Sequence, residues 1–142
     1  MSTLKVTNIQ SNGAGFNDVV SFQNSAGTEN GTLCRAWVNF DGTFATSPFN
    51  IANGGIRASF NVSSIKDNGT GDYTITFTNP MVDGNYFASG SCQMNSVVSS
   101  LAVDLVGSGS MLTSSCRVRS SGGNSNTDNT FDSPVFTLAI FR

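Results

Sequence analysis

The segment Asp72-Tyr73-Thr74-Ile75-Thr76-Phe77-Thr78 alternates polar and apolar side chains without a break. Successive side chains of a strand point to opposite faces, so a period of two fits a strand with one buried face. It does not fit a helix, whose faces repeat about every 3.6 residues. Tyr73, Ile75 and Phe77 are expected to point inward. Lys66-Asp67-Asn68-Gly69-Thr70-Gly71 is a turn before it, with Asn68 and Gly69 the residues that would accept positive φ. Ala58-Ser59-Phe60-Asn61-Val62 reads as the preceding strand, with Phe60 and Val62 on one face.

The same period recurs along the chain. Cys34, Ala36, Val38 and Phe40 share one face of a strand, and Arg35, Trp37, Asn39 and Asp41 share the other. Asn85 to Cys92 carries Tyr86, Ala88 and Cys92 on one side. Leu101 to Val106 and Met111 to Ser120 follow as shorter alternating runs. Val135 to Phe141 is apolar on both faces, which fits a strand covered on both sides or covered on one side by a partner. Composition agrees: the chain has one glutamate, Glu29, and only two lysines, Lys5 and Lys66. Helix formers are scarce, and turn and strand formers replace them. We expect an all-β fold, a small antiparallel β-sandwich or barrel-like domain of about seven to nine strands. Residues 33–142 would form this domain. Ser121 to Thr130 reads as a loop tip, and Asn24 to Thr32 as turn-like.

Residues 1–32 are expected to be an extended N-terminal arm. Its apolar contacts would come from Leu4, Val6, Ile9, Val19, Val20 and Phe22, too few to build a core of their own. Either the arm docks on the sheet of its own chain or it attaches to another protein. Its opening residues contain no apolar h-region, so no signal peptide is expected.

The chemistry available is narrow. There is no histidine. The commonest general base and metal ligand is therefore missing, and with it the usual nucleophile–histidine arrangements. With 11% charged residues and a net charge of -2, the basic excess of a nucleic-acid binder is absent as well. No segment reaches the roughly 20 apolar residues that span a bilayer as a helix. Three widely spaced cysteines, Cys34, Cys92 and Cys116, suit reduced thiols better than a disulfide framework or a zinc site. Asp67-Asn68-Gly69-Thr70-Gly71-Asp72 has oxygen ligands of the kind calcium takes. A further acidic ligand is lacking nearby, and a tight connection is the better reading.

Contact residues are easier to find than catalytic ones. Trp37, beside Arg35, faces away from Val38 and Phe40. It could stack on a sugar ring or fill a partner's pocket, or the long connection 42–57 could cover it. That connection carries Phe44 and Phe49, which fold over the core edge or form an interaction surface. Arg117 and Arg119 share the outer face of one strand. They are a solvated pair or contacts to an acidic partner.

Three runs carry a resemblance: Cys34-Arg35-Ala36-Trp37-Val38-Asn39-Phe40-Asp41-Gly42-Thr43, Ile56-Arg57-Ala58-Ser59-Phe60-Asn61-Val62-Ser63-Ser64-Ile65, and Asp67-Asn68-Gly69-Thr70-Gly71-Asp72-Tyr73-Thr74-Ile75-Thr76-Phe77. Together they resemble a block of bacteriophage virion proteins, most often distal modules of tail fibres and related surface proteins of marine cyanophages. The opening Ser2-Thr3-Leu4-Lys5-Val6-Thr7-Asn8-Ile9 also resembles the start of such proteins. The likeness covers residues 33–92 and not the C-terminal part. Because the chain has no heptad or fibrous repeat, the resemblance implies a capsid-decorating, knob-like structural protein with the arm as its attachment element. A receptor-binding tail-fibre or tail tip module is the alternative. The implied partner is the major capsid protein or another virion protein, with a homo-oligomer and a host-surface glycan as further candidates. Neither nucleic acid, membrane insertion, metal, cofactor nor enzymatic activity is expected. The chain would fold in the host cytoplasm and reside on the virion surface.

Overall fold

The computed structural model describes residues 20–24, 27–31, 33–93, 102–105, 107, 109–124 and 127–142. These contain eleven strands and no helix. β1 (Val20–Asn24) and β2 (Gly27–Gly31) pair with each other as an antiparallel hairpin. The segment expected to be turn-like thus supplies a strand, and part of the expected extended arm is a hairpin. Leu4, Val6, Ile9 and Val19 lie outside the described residues.

The rest is a β-sandwich of two antiparallel sheets. One has the order β4-β3-β11-β7, built from β3 (Cys34–Phe40), β4 (Ile56–Phe60), β7 (Phe87–Cys92) and β11 (Phe136–Phe141). The other has the order β10-β9-β6-β5, with β8 also pairing β9. Its strands are β5 (Val62–Gly69), β6 (Asp72–Phe77), β8 (Ala102–Leu105), β9 (Ser115–Asn124) and β10 (Thr127–Asn129). Ser121–Asn124 and Thr127–Asn129, expected within a loop tip, are therefore strand residues of β9 and β10, and 127–129 pair with 122–124 in a ladder.

The alternation read from the sequence sets which faces meet. Ala36, Val38 and Phe40 of β3, Tyr73, Ile75 and Phe77 of β6, and Phe136, Leu138 and Ile140 of β11 are all buried. Phe40 and Phe136 from one sheet meet Tyr73 from the other, with ring centroids 5.0 and 5.5 Å from the tyrosine. This aromatic centre buries large apolar area and adds edge-to-face contacts. The Tyr73 hydroxyl lies 2.8 Å from Asp132 Oδ1 and 3.1 Å from the Gly42 carbonyl, both acceptors. Burial, and then the Asp132 carboxylate, push its pKa up. In the β5–β6 turn the positive φ values fall on Gly69 and Gly71, not on Asn68.

One expectation fails in a way that shapes the surface. Phe60 and Val62 do not share a face: Phe60 is 54% exposed and Val62 is buried. Asn61 stands between them in the left-handed region, with φ 56°. The period-two pattern breaks there as the chain passes from the four-stranded sheet to the five-stranded one. Asn61 Oδ1 accepts a hydrogen bond from the Asn79 amide at 2.7 Å. Its Nδ2 donates to the carbonyls of Arg35 and Asn79, each at 3.0 Å. Asparagine tolerates this backbone better than other non-glycine residues.

Candidate functional site

The inner face of the four-stranded sheet is core; among the described residues none covers its outer face. The ladder puts Phe60, Trp37, Ala139 and Ser89 in one row across β4, β3, β11 and β7. The next row is Ala58, Asn39, Thr137 and Ser91. Toward the other end, Phe141 stands opposite Phe87, with ring centroids 6.4 Å apart. Trp37 is 40% exposed and Phe87 65%. One part of the face is therefore aromatic and the neighbouring row carries amide and hydroxyl groups.

Side-chain size gives the face relief. Trp37 stands beside the small residues Ala139 and Ser89, and an open depression of about 520 Å³ lies there, lined also by Asn39, Ser91 and Thr137. Ser91 and Thr137 share a hydroxyl–hydroxyl hydrogen bond of 2.8 Å, and the Thr137 hydroxyl lies 3.1 Å from the Ser91 carbonyl. At the polar end Arg57 donates to the Phe40 carbonyl and pairs with Asp41 at 2.9 Å. It reaches Asn39 Oδ1 only at 3.4 Å.

The predicted contact residues separate. Trp37 is on the open face, as the alternation implied, and the connection 42–57 does not cover it. Arg35 lies on the same strand, partly buried, with its carbonyl held by Asn61. Phe49 is not a contact residue, because it is fully buried. Its backbone exchanges two hydrogen bonds with Ile65, of 2.7 and 2.9 Å, and this bridge turns its ring into the core beside Phe40 and Tyr73. Phe44 is half-buried and packs edge-on against Phe49. It is the rim of the core and not a surface anchor. Val20 and Phe22 are on β1.

Arg117 and Arg119 lie on the opposite sheet, away from Trp37. They are turned to their own chain. Arg117 grips Asp72 with Nε and a terminal nitrogen, at 2.8 and 2.7 Å. Arg119 approaches the same carboxylate at 3.6 Å, and its Nε is buried without a hydrogen-bond partner. The Arg117 hydrogen bonds hold the Asp72 carboxyl below the usual carboxylate range, against burial, which pushes it up. Asn68 also donates to Asp72, and Asp67 Oδ1 accepts from the Gly69 amide. The carboxylates of this turn are thus engaged within the fold. No group of three or more His, Cys, Asp or Glu among the described residues is placed to hold a metal ion. No helix among them is long and apolar enough to cross a membrane. Cys92 and Cys116 are buried free thiols; burial pushes Cys116 up to about 11.

Phe60, Phe87, Ser89, Ser91 and Thr137 were not anticipated as surface contacts. Phe60 joins Trp37 only because Asn61 reverses the face. The β7 residues join only because β7 pairs with β11, which a local pattern does not reveal. Comparison with protein-family models, with curated proteins and with solved structures finds no match to this chain.

Proposed function

We propose that the chain is a non-enzymatic structural protein of the outer surface of a tailed-phage particle, decorating the capsid as a small knob. The observation that carries this reading is how the resembling block is used. Its ionisable and amide side chains bond to one another and to the backbone: Asp41 to Arg57, Asn61 to Arg35 and Asn79, Asp72 to Arg117. Groups engaged in this way make a rigid frame and are not poised for proton transfer or nucleophilic attack. Residues 1–32 serve as the attachment element, with the major capsid protein or another virion protein as partner. The sandwich then projects outward.

The test is composition. Tailless, genome-filled heads of the phage that encodes the chain should contain it in a fixed ratio to the major capsid protein, by quantitative mass spectrometry. Detection only in tail-bearing fractions would move the chain to the tail. A second reading, a receptor-binding tail module, is favoured by the depression beside Trp37. In that case the purified chain should bind host cells and block adsorption of the phage.

A further inference from the structure

We propose that the depression beside Trp37 is a binding site for an uncharged saccharide. The inference concerns this face alone and does not depend on whether the chain sits on the head or the tail.

Three features lead to it. First, the site is a shallow, open hollow. Trp37 forms a wall and the small side chains of Ala139 and Ser89 lie beside it, in a depression of about 520 Å³. Pockets for small ligands span roughly 300–1,000 Å³. Second, its chemistry is two-sided. The exposed indole offers an apolar, electron-rich surface to the C–H face of a sugar ring. One row away, about 7 Å along the strand, Asn39, Thr137 and Ser91 offer amide and hydroxyl groups to the ring's rim. The Ser91–Thr137 hydrogen bond holds those hydroxyls in place before any ligand arrives, which lowers the ordering cost of binding. Third, no side chain lining the depression is ionisable. Arg57, which reaches Asn39, is already paired with Asp41, and neither it nor Arg35, two positions from Trp37 on the same strand, lines the depression. A charged ligand would lose water and meet no opposite charge, so the site suits a neutral one.

A second copy of the chain fits less well. A matching sheet laid face to face would contact Trp37 and Phe60 first and leave the hollow beside them unfilled. Packing at stable interfaces is as dense as in protein interiors. The Lys66, Arg117 and Arg119 face is the place where an acidic glycan would bind instead, which gives the experiment a contrasting outcome.

Trp37 is the chain's only tryptophan, so its fluorescence reports on this site directly. The purified full chain would be screened on an array of neutral hexose, N-acetylhexosamine and deoxyhexose oligosaccharides together with sulfated and carboxylated ones. Hits would then be titrated while Trp37 emission is followed. The expected result is saturable binding of at least one neutral oligosaccharide, with a change in Trp37 emission and an unchanged Kd in 0.5 M salt, roughly five times the ionic strength at which the screening length is already about 10 Å. Trp37→Ala should weaken array binding at least about tenfold, and Thr137→Val about fivefold. Both variants should keep the cooperative urea transition of the parent, which separates lost binding from lost folding. Binding of only anionic glycans, abolished by salt and by Arg119→Ala, would overturn the proposal. So would emission that changes with protein concentration alone, accompanied by dimer in light scattering. No neutral hit on the array would overturn it as well.

Discussion

Replacing Asn61 tests the link between backbone conformation and the exposed face. Asn61→Ala removes three side-chain hydrogen bonds, of 2.7, 3.0 and 3.0 Å. They lie at or near the surface, where water replaces much of what is lost, so about 0.5 kcal/mol each is the appropriate scale. Alanine at φ 56° adds about 1 kcal/mol for a left-handed backbone carrying a Cβ. The sum is about 2.5 kcal/mol. Asn61→Gly loses the same hydrogen bonds but accepts the backbone freely, so it should cost about 1.5 kcal/mol. In a domain of this size the two correspond to drops in Tm of roughly 7 and 4 °C. The assay is urea unfolding followed by far-UV circular dichroism, with the slope m held in common. Equal destabilisation by alanine and glycine would refute the claim that the left-handed turn carries a cost. A change below about 0.5 kcal/mol for both would be within the range of an ordinary surface substitution. Asn61 would then not be the element that pins the crossing between sheets.

Four further outcomes follow from other contacts in the fold. A Cβ at Gly42 would press on the Tyr73 hydroxyl and lie 2.8 Å from the Ser133 carbonyl. Gly42→Ala should therefore cost about 2 kcal/mol, and clearly less in a Tyr73→Phe background, a coupling read from a double-mutant cycle. Phe49→Ala should cost about 3–4 kcal/mol, because it empties a fully buried site. Trp37→Ala, on the open face, should cost about 1 kcal/mol or less by the same urea assay. Asp72 is held ionised by Arg117, so its carboxyl titrates lower in the folded chain than in the unfolded one. Its contribution to stability is then complete above the unfolded value of about 3.9 and fades as the pH falls through the folded value. Asp72→Asn should lower the urea midpoint at pH 7 and flatten its decline below about pH 4.

The alternation in Cys34–Phe40, Asp72–Phe77 and Phe136–Phe141 carried the fold class and the orientation of Trp37, because burying one face of a strand demands that pattern. What escaped the sequence depends on non-local pairing. Gly27–Gly31, Ser121–Asn124 and Thr127–Asn129 are rich in turn formers and are strands only because a neighbouring strand completes their ladders. For Phe49 the sequence left core edge and interaction surface both open, because its burial requires the bridge to Ile65, sixteen positions on. Phe60 kept perfect alternation with Val62 in the sequence, and a single left-handed residue between them undid it. Arg117 and Arg119 looked free because Asp72 lies on another strand, which the β6–β9 register brings beside them. The candidate site was half legible: the indole was found, and the Ser91–Thr137 row, which forms only when β7 docks on β11, was not.

Labelling of phage particles is the most direct test of the proposed function. Gold-labelled antibody raised against the folded sandwich should be imaged on intact, purified virions of a tailed phage whose genome carries this sequence. A decorating protein predicts label distributed over the head, retained on tailless filled heads. Label confined to the tail, or no label on intact particles, would contradict it.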